Sequence, residues 1–169
     1  MSNINLSIAL DLNAIKHSGK LTSTIDDAEN RIISSEFIHM LDLRGKSFKD
    51  KGGDSTDIYN VKMGDSINWS LADYSAYNST LSAMMINYAE VGNNSNNYIT
   101  SPVIVRDRLD RPYYTENFDI EFSPVNLYYW TSNVLKTSVT ENYKGLIRVY
   151  EKNQPLGYAY IKRSITLNP

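Results

Sequence analysis

Residues 143–167 read YKGLIRVYEKNQPLGYAYIKRSITL. Two runs in it, Tyr143 to Glu151 and Leu156 to Leu167, flank the short turn Asn153-Gln154-Pro155. Strand-like runs on both sides of a short turn are the pattern of a β-hairpin. Ile161, Ile165 and Leu167 keep the apolar alternation to the end. Gly157 inside the second run marks a bulge or a close approach of another backbone. The same period opens the chain, where Ile4, Leu6, Ile8, Leu10 and Leu12 fall on one face of a half-buried strand.

Between these ends the pattern repeats in shorter pieces. Residues 35–43, 57–62, 65–72 and 80–91 read as strands, with Met63-Gly64-Asp65 as a tight turn. Ile67, Trp69 and Leu71 share one face, and Trp69 is the expected central core aromatic. Residues 102–106, 118–122 and 127–135 supply further strands, and Asp107 to Asn117, around Pro112, reads as a loop or an edge hairpin. Residues 13–34 are polar and read as a long loop, although Thr24 and Asp27 resemble a capping box before a short helix. About eight to ten short strands without strong helices predict one all-β domain over residues 1–169, an antiparallel β-sandwich with long loops.

Composition narrows the function. The 169 residues carry 17 Lys and Arg against 19 Asp and Glu, a formal net charge of −2, so there is no basic footprint for nucleic acid or anionic membrane. No apolar run is long enough to span a bilayer as a helix, and MSNINLSIALDL lacks the basic start and cleavage site of a secretory signal, so a cytoplasmic chain is expected. The absence of cysteine removes disulfides, thiolate catalysis and cysteine-ligated metals. The 13 tyrosines suit half-buried pleated surfaces.

The chain resembles the bacterial inclusion-body protein family, also called the AidA/PixA family. The likeness runs over nearly the whole chain. It begins at Ile4-Asn5-Leu6-Ser7-Ile8-Ala9-Leu10-Asp11, continues at Val61 to Trp69 and Tyr128 to Leu135, and closes with Leu156-Gly157-Tyr158 and Ile165-Thr166-Leu167. The resemblance implies a cytoplasmically made β-sandwich, associated with intracellular inclusions or density-regulated expression in host-associated bacteria, with no enzyme activity attached. Lys162-Arg163 departs from the family, which tends to carry an acidic-proline pair there.

Several clusters are candidate sites. Exposed aromatic planes beside Asp and Asn are what a sugar needs, for its apolar faces and its hydroxyl rim. Asp73, Tyr74, Tyr77 and Asn78, with Asn94 and Asn96 in the loop nearby, form such a set, and Tyr113-Tyr114 with Asp110 form another. The simpler reading is that these tyrosines cover sheet surface or line an oligomer contact. Asp107, Asp110 and Glu116 are the candidate calcium ligands, and Asp26, Asp27 and Glu29 a second acidic cluster, against the simpler reading of solvated loop charge. His17 and His39 have no spacing motif and read as a loop and a strand histidine. Lys46, Lys49 and Lys51 read as a solvated turn. Asn68-Trp69-Ser70, Asn78-Ser79-Thr80 and Asn93-Asn94-Ser95 match the glycosylation pattern by chance.

Three functions follow, in order. The first is a non-enzymatic, self-associating protein, for which low net charge permits close packing and a homodimer is the default. The second is a carbohydrate-binding lectin of glycans. An enzyme using Asp107 and Asp110 as an acid–base pair comes last.

Overall fold

The structure, a computed structural model, describes residues 1–42, 48–50, 55–74, 79–90 and 98–169. In chain order the elements are β1 (Asn3–Leu10), α1 (Leu12–His17), α2 (Ile25–Ala28), β2 (Ile38–Asp42), β3 (Phe48–Asp50) and β4 (Ser55–Ile58). There follow β5 (Ser66–Asp73), β6 (Leu81–Glu90), β7 (Val103–Tyr114), β8 (Ile120–Asn133), β9 (Val139–Glu151) and β10 (Gln154–Leu167). They form two five-stranded sheets, ordered β2-β1-β5-β8-β7 and β3-β4-β10-β9-β6. The all-β sandwich is as the sequence predicts.

The sheets are mixed rather than wholly antiparallel. β1 runs parallel to β5 over Asn3↔Ser66 to Leu10↔Asp73, and β10 runs parallel to β4. Parallel neighbours need a long connection, and here it is not a crossover helix. The chain leaves β1, passes through β2 in the same sheet and β3 and β4 in the other, and returns as β5.

The strand period decides the core. In β10, Ala159, Ile161, Arg163, Ile165 and Leu167 are all buried, and the residues between them are exposed or half-buried. The four apolar ones join Leu6, Ile8 and Leu10 of β1 and Ile67 and Trp69 of β5 in one apolar cluster. Trp69 is fully buried, with its ring 4.8 Å from Tyr88 and 6.2 Å from Tyr143. Tyr88 reaches the core through a register shift in β6 between Met85 and Asn87, which turns both Met85 and Tyr88 inward.

Arg163 is the charged exception. It lies buried between the sheets, and its guanidinium donates to the Ile38 carbonyl at 3.4 Å and to Thr56 Oγ1 at 3.3 Å. It therefore ties β10 to β2 of the opposite sheet. Buried charge is tolerated only where hydrogen bonds replace water. The Lys162-Arg163 departure thus places a polar strut inside the sandwich.

Gly157 meets both readings of its role. The β9–β10 register shifts between Pro155 and Gly157, and a Cβ at Gly157 would lie 2.6 Å from the Thr22 carbonyl oxygen. Thr22 and Tyr158 exchange backbone hydrogen bonds at 3.0 and 2.8 Å, which fastens the α1–α2 segment to the sheet.

Two local expectations change. Leu12 is buried but opens α1 instead of extending β1, because the Asp11 carboxylate accepts the Ala14 amide at 2.9 Å and starts a helix. His17 therefore ends a helix rather than sitting in a loop. Thr24 caps α2, accepting the Asp27 amide at 3.3 Å while its hydroxyl donates to the Asp27 carboxylate at 2.6 Å, so residues 13–34 hold two short helices.

The third change is the largest. Residues predicted as a short strand, a loop and two further strands form two long ones. β7 and β8 pair without a shift from Val103↔Thr131 to Tyr114↔Ile120. The sequence hid this because both strands are exposed on both faces for most of their length, so no burial period marks them.

Candidate functional site

β8 pairs with β5 only from Ser66↔Asn133 to Trp69↔Trp130. Beyond Trp130 it continues with β7 alone, while β5 continues with β1. The β7–β8 hairpin therefore leaves the sheet as an arm. The arm projects about ten residues, roughly 35 Å at strand rise. A three-residue turn closes it, with Thr115 N–H donating to the Asp119 carbonyl at 2.9 Å and Phe118 in the left-handed region at φ 64°.

The parting of β5 and β8 opens concave space on both faces. One face holds a cavity of about 230 Å³ lined by Trp69, Leu71, Met84, Met85, Tyr128 and Trp130. The other holds a groove of about 510 Å³ lined by Asn5, Asn68, Ser70, Asp107, Arg111 and Tyr129. Asn68 donates to Asn5 Oδ1 at 2.8 Å and accepts from Thr131 Oγ1 at 2.7 Å, so a fixed amide ladder floors the groove.

The arm carries an apolar end. Tyr114 is 72% exposed, Phe118 83%, Ile120 61% and Phe122 66%. Charge occupies its middle, where Arg106 donates through Nε and Nη2 to Asn126 Oδ1 at 3.1 and 3.0 Å. Tyr113 donates to Glu121 Oε2 at 2.6 Å, and this bond to the carboxylate holds the phenol above its ordinary pKa.

The inclusion body protein family, PixA, matches residues 2–167. The chain belongs to that family. The crystal structure of a PixA inclusion body protein from Burkholderia cenocepacia J2315 has the same fold, at TM-score 0.73 and 16% identity. The likeness covers 98% of this chain and 95% of that one. No curated protein matches the chain in sequence. No helix among the described residues is long and apolar enough to cross a membrane.

In this PixA-family chain the sequence-predicted residues that the structure describes do not form one site. Asp73 ends β5, and Tyr74 follows it at the end of the sheet, 5.0 Å from the His39 ring in an edge-on contact. Burial and then the Asp11 charge push the Tyr74 phenol up. Tyr77, Asn78, Asn94 and Asn96 lie outside the described residues, as do Lys46 and Lys51. Asp107 and Asp110 stand three apart on β7 and so on opposite faces, and Glu116 sits in the turn. The structure does not bring these three together as a calcium site, and among the described residues no three His, Asp or Glu gather as metal ligands. In the other acidic cluster, Asp27 accepts from its own cap Thr24, and Glu29 pairs with Lys144 at 3.2 Å.

Sequence reasoning missed Asn5, Asn68, Arg111 and Tyr129 as groove residues. Each sits on a strand in an unremarkable motif, and only the parting of β5 from β8 brings them together.

Proposed function

We propose that this chain is a non-enzymatic packing protein, which self-associates in its native fold into cytoplasmic inclusions. The observation that carries this reading is the β7–β8 arm. A two-stranded hairpin is at best marginally stable in water, and this one exposes three aromatics and an isoleucine at its end. Exposed apolar surface of that kind marks an interaction site. Family membership supports the same reading. Asp107 and Asp110, the pair considered for acid–base chemistry, point to opposite faces of β7 and share no cleft.

The test is made on particles from producing cells. Native packing predicts particles that dissolve on dilution without denaturant and release chain with the near-ultraviolet signal of the packed Trp69 cluster. Particles that dissolve only in urea, or none at any expression level, contradict it.

The groove floored by Asn5 and Asn68 supports a second reading, glycan binding. It sets Tyr129 beside amides, a carboxylate and a guanidinium. A glycan array, run with calcium and with a chelator, decides this reading. Binding lost in Tyr129→Ala supports it, and a blank array under both conditions removes it.

A further inference from the structure

β7 is an edge strand, and its open edge is self-complementary. The closing pair Thr115–Asp119 and the unshifted register fix which backbone groups face outward. Odd-numbered residues of β7 turn their amides to β8, and even-numbered residues turn theirs to the open edge. Two details agree. Arg108 N–H, on the open side, is taken up by the neighbouring Asp107 carboxylate at 2.8 Å. Pro112, which has no N–H, also stands on the open side.

We propose that the open edge of β7 pairs antiparallel with β7 of a second copy about a two-fold axis through Leu109, joining the two sandwiches arm to arm. This rests on the packing role proposed above, and names the contact. Even-numbered residues must pair with even-numbered ones, so the axis passes through a residue. Centring on Asp107, Arg108, Asp110 or Arg111 sets that residue against itself, like charge on like charge. Centring on Leu109 sets Arg108 against Asp110, Asp107 against Arg111 and leucine against leucine.

The same register matches the ends. Tyr114 meets Ile104 and Tyr113 meets Val105, so the apolar tip of each arm lies along the apolar base of the other. Once each Arg108 N–H leaves its Asp107 carboxylate, the two Arg108–Asp110 pairs supply four backbone hydrogen bonds across the axis, and the Pro112 of each copy forfeits one opposite Arg106. An aromatic side chain offers about 150–250 Å². Tyr113, Tyr114, Ile104 and Leu109 bring on the order of 400 Å² from each copy to the seam, and closure of the tip, where Phe118, Ile120 and Phe122 lie one strand back, must supply the rest of the roughly 800 Å² per partner of a stable interface.

The experiment uses the full chain, which has no cysteine. Arg108→Asp and Asp110→Arg each place like charges across the axis and are expected to weaken dimerisation at least tenfold in sedimentation equilibrium. The double variant Arg108→Asp/Asp110→Arg restores the pairing and with it the dimer. Leu109→Cys brings two thiols together at the axis and is expected to form a covalent dimer on mild oxidation. Val105→Cys, which faces Tyr113, is expected to stay uncrosslinked. Circular dichroism checks that each variant is folded. If native particles form but the reversals leave the mass unchanged and Leu109→Cys does not crosslink, the β7 contact is wrong and the packing role stands. A chain that stays monomeric and forms no particles overturns both. Co-sedimentation of a monomeric chain with phosphatidylglycerol vesicles, abolished by Phe118→Ser, overturns the β7 contact in favour of a lipid surface.

Discussion

Trp69 and Trp130 stand directly opposite each other, and theirs is the last paired position between β5 and β8. On one side of this pair the chain is a closed sandwich. On the other, β8 and β7 run on together as an arm. Trp130 is held at the boundary, its indole N–H donating to the Met85 carbonyl at 3.2 Å, and its ring lies 6.4 Å from Tyr88.

Trp69 is the core's largest fully buried side chain, so truncation there leaves a void that its neighbours cannot close. Trp69→Ala is expected to cost about 4 kcal/mol. Urea unfolding followed by far-ultraviolet dichroism measures this, and a loss under 1 kcal/mol would mean that the aromatic cluster does not hold the sheets together.

Asp65 should contribute to the acid sensitivity of the fold. Burial alone would raise its pKa, but the amides of Ser2 and Lys62, donating to its two oxygens at 2.7 and 3.0 Å, outweigh burial and hold it below the ordinary value. A carboxylate depressed in the folded state stabilises the fold above its unfolded pKa. That contribution is lost as pH falls through the folded value. Asp65→Ala is therefore expected to cost about 2 kcal/mol at neutral pH and to flatten the fall in stability below the ordinary aspartate range. Equal acid sensitivity in variant and wild type would rule this out.

Gly157→Ala should destabilise although it adds only a methyl group. The Cβ would press on the Thr22 carbonyl, and the backbone sits at φ 156°. The expected cost is about 2 kcal/mol, with faster amide exchange at Thr22 and Tyr158. Unchanged exchange at those amides would show that the bridge does not depend on this contact.

Phe118 separates folding from packing. A non-glycine residue in the left-handed region carries a local penalty of about 1 kcal/mol, and here the ring finds no cover within the chain. Phe118→Gly is expected to leave Tm unchanged or raised while weakening self-association. A fall in Tm with association intact would assign the ring to the fold instead.

The hairpin of β9 and β10 was legible in the sequence because one of its faces is buried and the other is not. Trp69 was legible for the same reason. The arm was not, because Val103 to Tyr114 alternates nothing between core and solvent, and Pro112 argues against a strand unless its missing N–H is known to face an open edge. The parallel pairing of β1 with β5 was equally hidden, since it depends on a path through both sheets. The calcium candidates clustered in sequence, but strand alternation sends Asp107 and Asp110 to opposite faces. The groove residues Asn5, Asn68 and Tyr129 come from three separate strands, and no local pattern joins them.

The measurement that decides whether this chain packs through its arm is its mass in solution. Sedimentation equilibrium of the wild-type chain over a wide concentration range is expected to give at least twice the 19.2 kDa of one copy, with replacement of Phe118, Ile120 and Phe122 by serine returning it to one. A wild-type mass of 19.2 kDa at every concentration, or an assembly indifferent to the serine variant, would contradict it.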